Sequence, residues 1–276
     1  MSNVRNEWCR VLWKKQPSYP DNYIGDSSLR VSKKRKEVLI TEALYGATAV
    51  TQEICSCLSL VAIFFGLSQG EIRASSLLVV TCLMGVTGYI ISNSHQVISA
   101  KSDAKLVCFY FVLISCATPM VKSLTGSVAT DTINACTTAL LLLRIVHQDY
   151  GVSVAIVNPT VSHNLGVFAS VCLASRLGKD QDVFALITVA VMLFALFPVF
   201  RRYCRVILGK PIDLLLTTSV ITITAVGLYC YASHLLYLFV GALVTCNVII
   251  PSLYVYLQHH KQNIYGPWDE ALIEDR

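Results

Sequence analysis

The chain has 276 residues, of which 54% are hydrophobic and only 14% are charged, and its formal net charge is +5 at pH 7. A soluble domain carries roughly 25% charged residues, so this composition excludes a soluble globular protein of this length. The basic excess does not indicate a nucleic-acid partner. It comes mostly from the N-terminal stretch, where orientation in a membrane accounts for it.

The N-terminal region, residues 1–45, is predicted to be a basic, amphipathic arm in the cytosol. It contains no apolar stretch typical of a cleavable signal peptide. If the beginning of the arm is helical, Trp8 and Leu12 share one face with Val11 beside them, and Trp13 and two lysines follow. This pattern is typical of a short helix that lies in the membrane interface. A segment that docks on a partner and an unstructured arm remain open as alternatives.

The central region, residues 46–257, is predicted to be a single transmembrane helical domain. Its apolar runs are about 17–23 residues long, and about 20 helical residues cross the hydrocarbon core of a bilayer. Each run is predicted to be helical, because a backbone in lipid must satisfy its own hydrogen bonds. Eight spans are predicted, near residues 46–67, 75–92, 105–121, 132–147, 155–176, 183–200, 212–231 and 235–257. The fold class is therefore an all-α polytopic membrane protein.

The distribution of basic residues predicts the orientation of these spans. With eight spans, 17 of the 22 Lys and Arg residues fall on the side that holds both termini. Four fall on the opposite side, and Arg144 lies within a predicted span. Because cytosolic loops are enriched in Lys and Arg, both termini are predicted to be cytosolic.

Glu53, Arg144, His163 and Asn164 are polar residues inside predicted spans, where burial in lipid is costly. Such residues usually face a protein interior or a wet cavity. One interpretation is a polar pocket for a lipid headgroup, and the other is interhelical hydrogen bonding that fixes the packing. For Glu53, packing or contact with a partner is favoured over a catalytic acid. Arg144 lies about one turn from the cytosolic end of its span, where its side chain could simply reach the interface.

Small residues recur every four positions in the fifth predicted span, at Gly166, Ser170 and Ala174. Residues with this spacing line one face of a helix, and small side chains let another helix approach closely. The stripe therefore predicts a helix-packing face.

Residues 258–276 are predicted to be a cytosolic tail. Pro267 is suited to the first turn of a short acidic helix. Trp268 beside it is a candidate anchor to the membrane interface or to a cytosolic subunit.

No pattern in the sequence indicates a metal or cofactor site. Most of the eleven cysteines lie within apolar runs, where they act as small core residues. The sequence lacks paired CxxC elements and has no GxGxxG motif, so no metal ligand or cofactor-binding residue is predicted.

Five groups of residues, in order along almost the whole chain, carry a resemblance to a known family. They are Gln16-Pro17 with Tyr19-Pro20-Asp21-Asn22-Tyr23, Ser127 with Thr130-Asp131-Thr132-Ile133, Asp149-Tyr150-Gly151, Phe168 to Leu177, and Asn263 to Ala271 with Trp268. This pattern resembles the C-type subunit of phosphatidylinositol N-acetylglucosaminyltransferase, the PIG-C family. Among these residues, Asp21, Asn22, Tyr23 and Asp149 are candidate lipid or partner contacts.

The resemblance implies a multi-pass protein of the endoplasmic reticulum membrane. It implies a complex that transfers N-acetylglucosamine from UDP-N-acetylglucosamine to phosphatidylinositol, the first step of glycosylphosphatidylinositol anchor synthesis. In the family the sugar-nucleotide site lies on a separate A-type subunit, and the PIG-C protein has no assigned catalytic residue. Phosphatidylinositol is a further candidate ligand. The chain departs from the family pattern at Glu53, where the pattern has glutamine, and at Arg144, where it has histidine.

Three functions remain to be distinguished. The first is a non-catalytic scaffold subunit of that transferase complex. The second is a lipid scramblase or small-molecule transporter that uses the polar residues within the spans as a path. The third is an intramembrane enzyme, which needs at least two ionisable residues to converge.

Overall fold

The computed structural model describes residues 38–93, 115, 118, 128–150, 159–258 and 260, and within them the regular structure is entirely helical. The helices are α1 (Ile40–Ser68), α2 (Ala74–Asn93), α3 (Thr130–His147), α4 (Pro159–Ala174), α5 (Asp180–Leu208), α6 (Lys210–Tyr231) and α7 (Ser233–Gln258). They overlap seven of the eight predicted spans. The third predicted span, near 105–121, lies outside the described residues except for Ser115 and Thr118, which are both helical.

Five of these helices are long and apolar enough to cross a membrane, judged by length and composition: α1, α2, α5, α6 and α7. The apolar helix α4 is shorter. The remaining helix, α3, has 18 residues and contains both Asp131 and Arg144. The described part of the chain is thus a bundle of helices suited to a membrane.

The fifth helix differs most from its prediction. A loop was predicted at 201–211, but α5 continues to Leu208, and Gly209 alone separates it from α6. Gly209 has a φ of +87°, a conformation that favours glycine. The prediction was wrong because it treated arginines as loop residues. Arg201 and Arg205 instead point into the bundle, where acidic side chains bind them.

Helix α5 contains two π-helical turns, Met192–Leu196 in its middle and Cys204–Leu208 at its end. Pro198 follows the first of these turns. Proline has no N–H, so the carbonyl four residues earlier, that of Phe194, loses its usual helical partner. A third π-helical turn, Thr245–Ile249 in α7, is likewise followed by Pro251.

The first helix is central, because it contributes to both hydrophobic cores. One face of α1, with Cys57, Leu60 and Leu67, packs in a core shared with α3, α4 and α5. Another face, with Cys55 and Ala62, packs in a core shared with α6 and α7. The bundle therefore has two sides that meet along α1.

The beginning of α1 and the end of α7 lie together. The Val38 N–H donates to Gln258 Oε1 at 3.2 Å, and Gln258 Nε2 donates to the Val38 carbonyl at 3.0 Å. At the opposite end, Gln69 Nε2 donates to the Tyr231 carbonyl at 3.4 Å. Residues 38 and 258 are therefore at the same end of the bundle.

Candidate functional site

The most heavily charged part of the bundle interior is centred on Glu53, about halfway along α1. Its side chain is 0% exposed, and its two carboxylate oxygens face two different arginines. Glu53 Oε1 lies 2.7 Å from Arg144 Nη2, and Oε2 lies 3.4 Å from Arg201 Nη1. Charges removed from water need partners of opposite sign, so these three residues depend on one another.

Arg144 joins four helices with one side chain. In addition to the ion pair with α1, it donates from Nη1 to the Ser162 carbonyl of α4 at 2.7 Å. It also donates from Nη2 to the Phe194 carbonyl of α5 at 3.4 Å, and its guanidinium lies 4.2 Å from the centre of the Phe194 ring. This is the carbonyl that Pro198 leaves without its helical partner. The interpretation of Arg144 as an interfacial side chain was wrong, because its side chain is 0% exposed.

Gly166 makes room for this arrangement. A Cβ added there would lie 2.7 Å from Phe194 Cδ2 and 2.9 Å from Arg144 Nη1. Ser162, one turn earlier in α4, donates to Gln148 Oε1 in a short hydrogen bond. We call Glu53, Arg144, Arg201 and Ser162 the inner network; its two arginines and one glutamate leave one positive charge in excess.

A second set of polar residues connects α1 to the other side of the bundle. Asp213 of α6, fully buried, accepts from Arg205 Nε at 3.0 Å and from Gln52 Nε2 at 3.2 Å. Gln52 also donates to Thr217 Oγ1 at 2.6 Å, and Arg205 donates to Thr48 Oγ1 at 2.7 Å. We call these five residues the outer network.

The two networks meet on α1, because Gln52 and Glu53 are consecutive. Adjacent residues on a helix point about 100° apart, so Gln52 faces α6 while Glu53 faces α3 and α5. Arg201 adds a further link by donating to the Ala49 carbonyl at 3.1 Å. Together the networks connect five helices in the half of the bundle that contains residues 38 and 258.

Cationic and aromatic groups surround the outer network where it approaches the surface. The Arg205 side chain is 23% exposed, and its guanidinium lies 4.8 Å from the centre of the Tyr45 ring. Lys210 Nζ lies 5.4 Å from the same ring. Beyond them, Arg202 makes a 3.8 Å contact with Asp149, and its side chain is 76% exposed. This end of the bundle therefore presents cations to its surroundings.

Tyr150 lies just after α3, and its hydroxyl donates to the carbonyl of Ile145 in the last turn of that helix at 2.6 Å. Burial raises the pKa of Tyr150 above its ordinary value, and the negative charge of Glu53 raises it further. The phenol is thus held in its protonated form, which is the form that donates.

The geometry supports electrostatic cross-linking of helices. The carboxylates of Glu53 and Asp213 are fully buried and bound by guanidinium groups. A substrate at the surface of the bundle would therefore not contact them. Some polar atoms within the described residues have no hydrogen-bond partner, among them Gln52 Oε1 and Arg144 Nε. Glu53 Oε1 also accepts no hydrogen bond. Its 2.7 Å contact with Arg144 Nη2 is an ion pair whose angles do not fit a hydrogen bond.

The structure brings together only part of the predicted site. Glu53 and Arg144 are in direct contact, whereas Asp149 lies at the edge beside Arg202. On α4, His163 is half-buried and Asn164 is exposed. The packing stripe of Gly166, Ser170 and Ala174 lies on a buried face. The remaining candidates are outside the described residues: Trp8, Trp13, Asp21, Asn22, Tyr23 and Trp268.

Seven of the nine residues of the two networks were not predicted from the sequence: Thr48, Gln52, Ser162, Arg201, Arg205, Asp213 and Thr217. Asp213 lies inside a predicted span, where an ionisable residue is itself a signal of a protein contact. Arg201 and Arg205 are four positions apart, a spacing that places two side chains on one helix face. Gln52 carried no signal that distinguishes it from other polar residues in a span.

Comparison with known proteins gives the family. Residues 8–269 match the family model GPI2, described as phosphatidylinositol N-acetylglucosaminyltransferase. The chain belongs to this family. The resemblance carried by the five groups of residues is thereby confirmed.

Several relatives match this chain along nearly its full length. The C-type subunit of phosphatidylinositol N-acetylglucosaminyltransferase from Homo sapiens is 31% identical over 98% of this chain and 94% of its own length. Its counterpart from Mus musculus is 30% identical over 98% and 94%, respectively. The GPI2 subunit of that enzyme from Schizosaccharomyces pombe is 28% identical over 98% and 87%. No solved structure matches the chain.

Proposed function

We propose that this chain is a non-catalytic membrane scaffold subunit of a phosphatidylinositol N-acetylglucosaminyltransferase. The complex would transfer N-acetylglucosamine from UDP-N-acetylglucosamine to phosphatidylinositol, the first step of glycosylphosphatidylinositol anchor synthesis. The observation that carries the proposal is the match of residues 8–269 to the GPI2 family. Relatives that align over nearly the full chain are named as subunits of this enzyme, which favours the same role here.

A scaffold role is supported by the form of the described bundle. A doubly wound sugar-nucleotide site needs a parallel sheet, and one βαβ unit takes 30 or more residues. In the described part of the chain there is no strand, and α5, α6 and α7 are joined by single residues, Gly209 and Ala232. The inner network fixes helices to one another and holds its carboxylate away from any substrate. The UDP-sugar site is therefore assigned to a partner, the catalytic A-type subunit.

The proposed location is the endoplasmic reticulum membrane, with both termini in the cytosol. The hydrogen bonds between Val38 and Gln258 support an arrangement in which both termini lie on one side. The distribution of Lys and Arg favours the cytosol for that side. Exposed Arg202 and Lys210 lie at the same end, where cations suit anionic headgroups such as that of phosphatidylinositol.

The scramblase or transporter alternative is not favoured by the same geometry. It uses Glu53 and Arg144 as part of a path for a polar group. Both side chains are 0% exposed and occupied by their mutual ion pair. An intramembrane enzyme would likewise need ionisable groups that a substrate can reach.

The test compares the purified chain with the intact complex. We expect transfer of radiolabelled N-acetylglucosamine to phosphatidylinositol by the affinity-purified complex, and no transfer by the chain alone in the same lipid. A complex isolated from cells that lack this chain should have little activity. Transfer by the chain alone would contradict the non-catalytic role, and full activity without the chain would contradict the role as a subunit.

The scramblase alternative needs a separate assay. Liposomes that contain only this protein should not move fluorescent lipid between leaflets faster than empty liposomes do. Rapid movement that Glu53→Gln abolishes would instead support the alternative.

A further inference from the structure

Two cysteines lie beside each other where α3 packs on α4. The thiols of Cys136 on α3 and Cys172 on α4 are within hydrogen-bonding reach of one another. Both cysteines are free; Cys136 is exposed, whereas Cys172 is buried. Neither thiol belongs to the inner or the outer network, so the electrostatic cross-linking of the helices does not account for their contact.

The register of the two helices places the same positions opposite each other. Helices α3 and α4 run antiparallel, and Arg144 on α3 contacts Ser162 near the start of α4. Cys136 lies eight residues before Arg144, and Cys172 lies ten residues after Ser162. At a rise of 1.5 Å per residue, these steps are about 12 and about 15 Å along the two helices. Two residues at nearly equal distance from one contact between antiparallel helices are neighbours across the interface.

A second contact between the two helices lies beyond the cysteines. Arg176, just after α4, donates from Nη2 to the carbonyl of Val128, just before α3, at 2.6 Å. The cysteine pair is therefore bracketed by a contact on each side. An interface held in this way keeps the two thiols close together without any movement of a helix.

The cysteine pair lies at the end of the bundle opposite residues 38 and 258. Helix α4 ends shortly before Asp180, the first residue of α5, and Asp180 lines one cavity with Ala74, the first residue of α2. Ala74 follows closely on the end of α1, whose beginning contacts Gln258 at the other end of the bundle. With both termini in the cytosol, the cysteines face the lumen of the endoplasmic reticulum, an oxidising compartment in which disulfides persist.

The beginning of α3 is polar, which gives a water-soluble reagent access to Cys136. Its exposed residues there include Asp131, Asn134 and Thr138. Helix α3 is also not among the five helices that are long and apolar enough to cross a membrane. Cys136 therefore lies among side chains suited to water, whereas Cys172 is reached only through Cys136.

We propose that Cys136 and Cys172 form a disulfide in the protein of the endoplasmic reticulum membrane, and that this bond links α3 to α4 on the lumenal side. The inference rests on the orientation and location given under the proposed function. It goes beyond that function because it assigns a covalent modification to two residues of this chain.

The bond forms by thiol–disulfide exchange, and the oxidant is a disulfide, carried by a small molecule or by an oxidoreductase of the lumen. The thiolate of exposed Cys136 attacks that disulfide and releases one of its thiols. The thiolate of Cys172 then attacks the Cys136 sulfur and releases the second thiol. The two cysteines lose their hydrogens as protons, and their two electrons reduce the oxidant to a dithiol.

Mapping of the thiols in the full-length chain tests the disulfide. Cells are lysed without reductant in denaturant that contains N-ethylmaleimide, and the affinity-purified chain is digested and analysed by mass spectrometry. We expect a peptide that contains Cys136 joined to a peptide that contains Cys172. The matched control is Cys230, an exposed cysteine at the same end of the bundle on α6, which should carry the maleimide. Maleimide on both Cys136 and Cys172, or a bond from either to another cysteine, would overturn the inference.

A conservative variant gives an independent readout. In Cys136→Ser, Cys172 should change from unlabelled to fully labelled by N-ethylmaleimide, because it has lost its partner, whereas Cys230→Ser should leave Cys172 unlabelled. Cys136 is exposed, so serine there is compatible with folding. Continued protection of Cys172 in the Cys136→Ser variant would overturn the pairing.

These outcomes are separate from that of the transferase test. A chain that copurifies with no transferase activity but contains the joined peptides would contradict the proposed function alone. Free thiols at 136 and 172 in an active complex would overturn the disulfide alone.

Discussion

The inner and outer networks both neutralise a buried carboxylate with arginine, but their arginines differ in exposure. Each contains a fully buried carboxylate bound by arginine, and each connects α1 to other helices. Around Glu53, the Arg144 side chain is 0% exposed and Arg201 is 6% exposed. Around Asp213, the Arg205 side chain is 23% exposed and approaches the surface. Because both acids are fully buried and the cations differ in exposure, we expect the exposure of the cation to determine how much stability is lost when each pair is broken.

The largest effect is expected from Glu53→Leu. This change leaves two guanidinium groups without their carboxylate, and neither can reach water without displacing helices. Removing one partner of a buried pair typically costs about 3–5 kcal/mol. We expect a loss of this size in the free energy of unfolding, measured in mixed detergent micelles. If the variant unfolds with the free energy of the unsubstituted protein, the inner network does not stabilise the bundle.

The next largest loss of stability is expected from Gly166→Ala, which fills the space beside the inner network. Gly166→Ala forces a methyl group against Phe194 and Arg144, and overpacking of this kind typically costs about 1–3 kcal/mol. The matched control is Gly46→Ala at an exposed position of α1, where an added Cβ meets nothing within 4 Å. The same unfolding measurement should show a loss for the first variant and none for the second. Equal behaviour of the two would show that α4 can move away without cost.

Asp213→Asn should have a smaller effect than Glu53→Leu. The amide retains an oxygen for the hydrogen bond from Gln52, and the released Arg205 has a short path to the surface. Losing a hydrogen bond to a charged group costs about 1.5–3 kcal/mol, and the partial exposure of Arg205 places the expected loss toward the lower end. A loss as large as that of Glu53→Leu would show that the exposure of the cation does not decide the cost.

The smallest effect is expected at the edge of the bundle. Arg202→Gln removes a 3.8 Å contact with Asp149 from a side chain that is 76% exposed. Exposed pairs of this kind contribute about 0–1 kcal/mol. We expect the thermal midpoint of the purified complex to stay within the error of the measurement. A marked decrease would mean that Arg202 contacts a partner in the complex.

The helices themselves could largely be predicted from the sequence. Apolar runs such as 212–231 and 235–257 are long enough to need a helix in lipid, and α6 and α7 follow them within two residues at each end. The boundaries of α1 and α5 were less predictable. A helix can continue past its apolar run, as α5 does when its arginines turn inward to meet Glu53 and Asp213.

The candidate site could be predicted only in part. The cost of charge in lipid singled out Glu53 and Arg144, and it applies equally to Asp213. Which of these residues meet depends on which helix faces pack together, and that information is spread over the whole chain. His163 illustrates this dependence, because it lies next to Ser162 of the inner network and yet is only half-buried.

The reciprocal bonds between Val38 and Gln258 place the departure points of the arm and the tail side by side. A protein that contacts both segments would therefore need only one compact binding face. It could detect whether the first and last helices are properly assembled, because separation of their ends would divide its binding site.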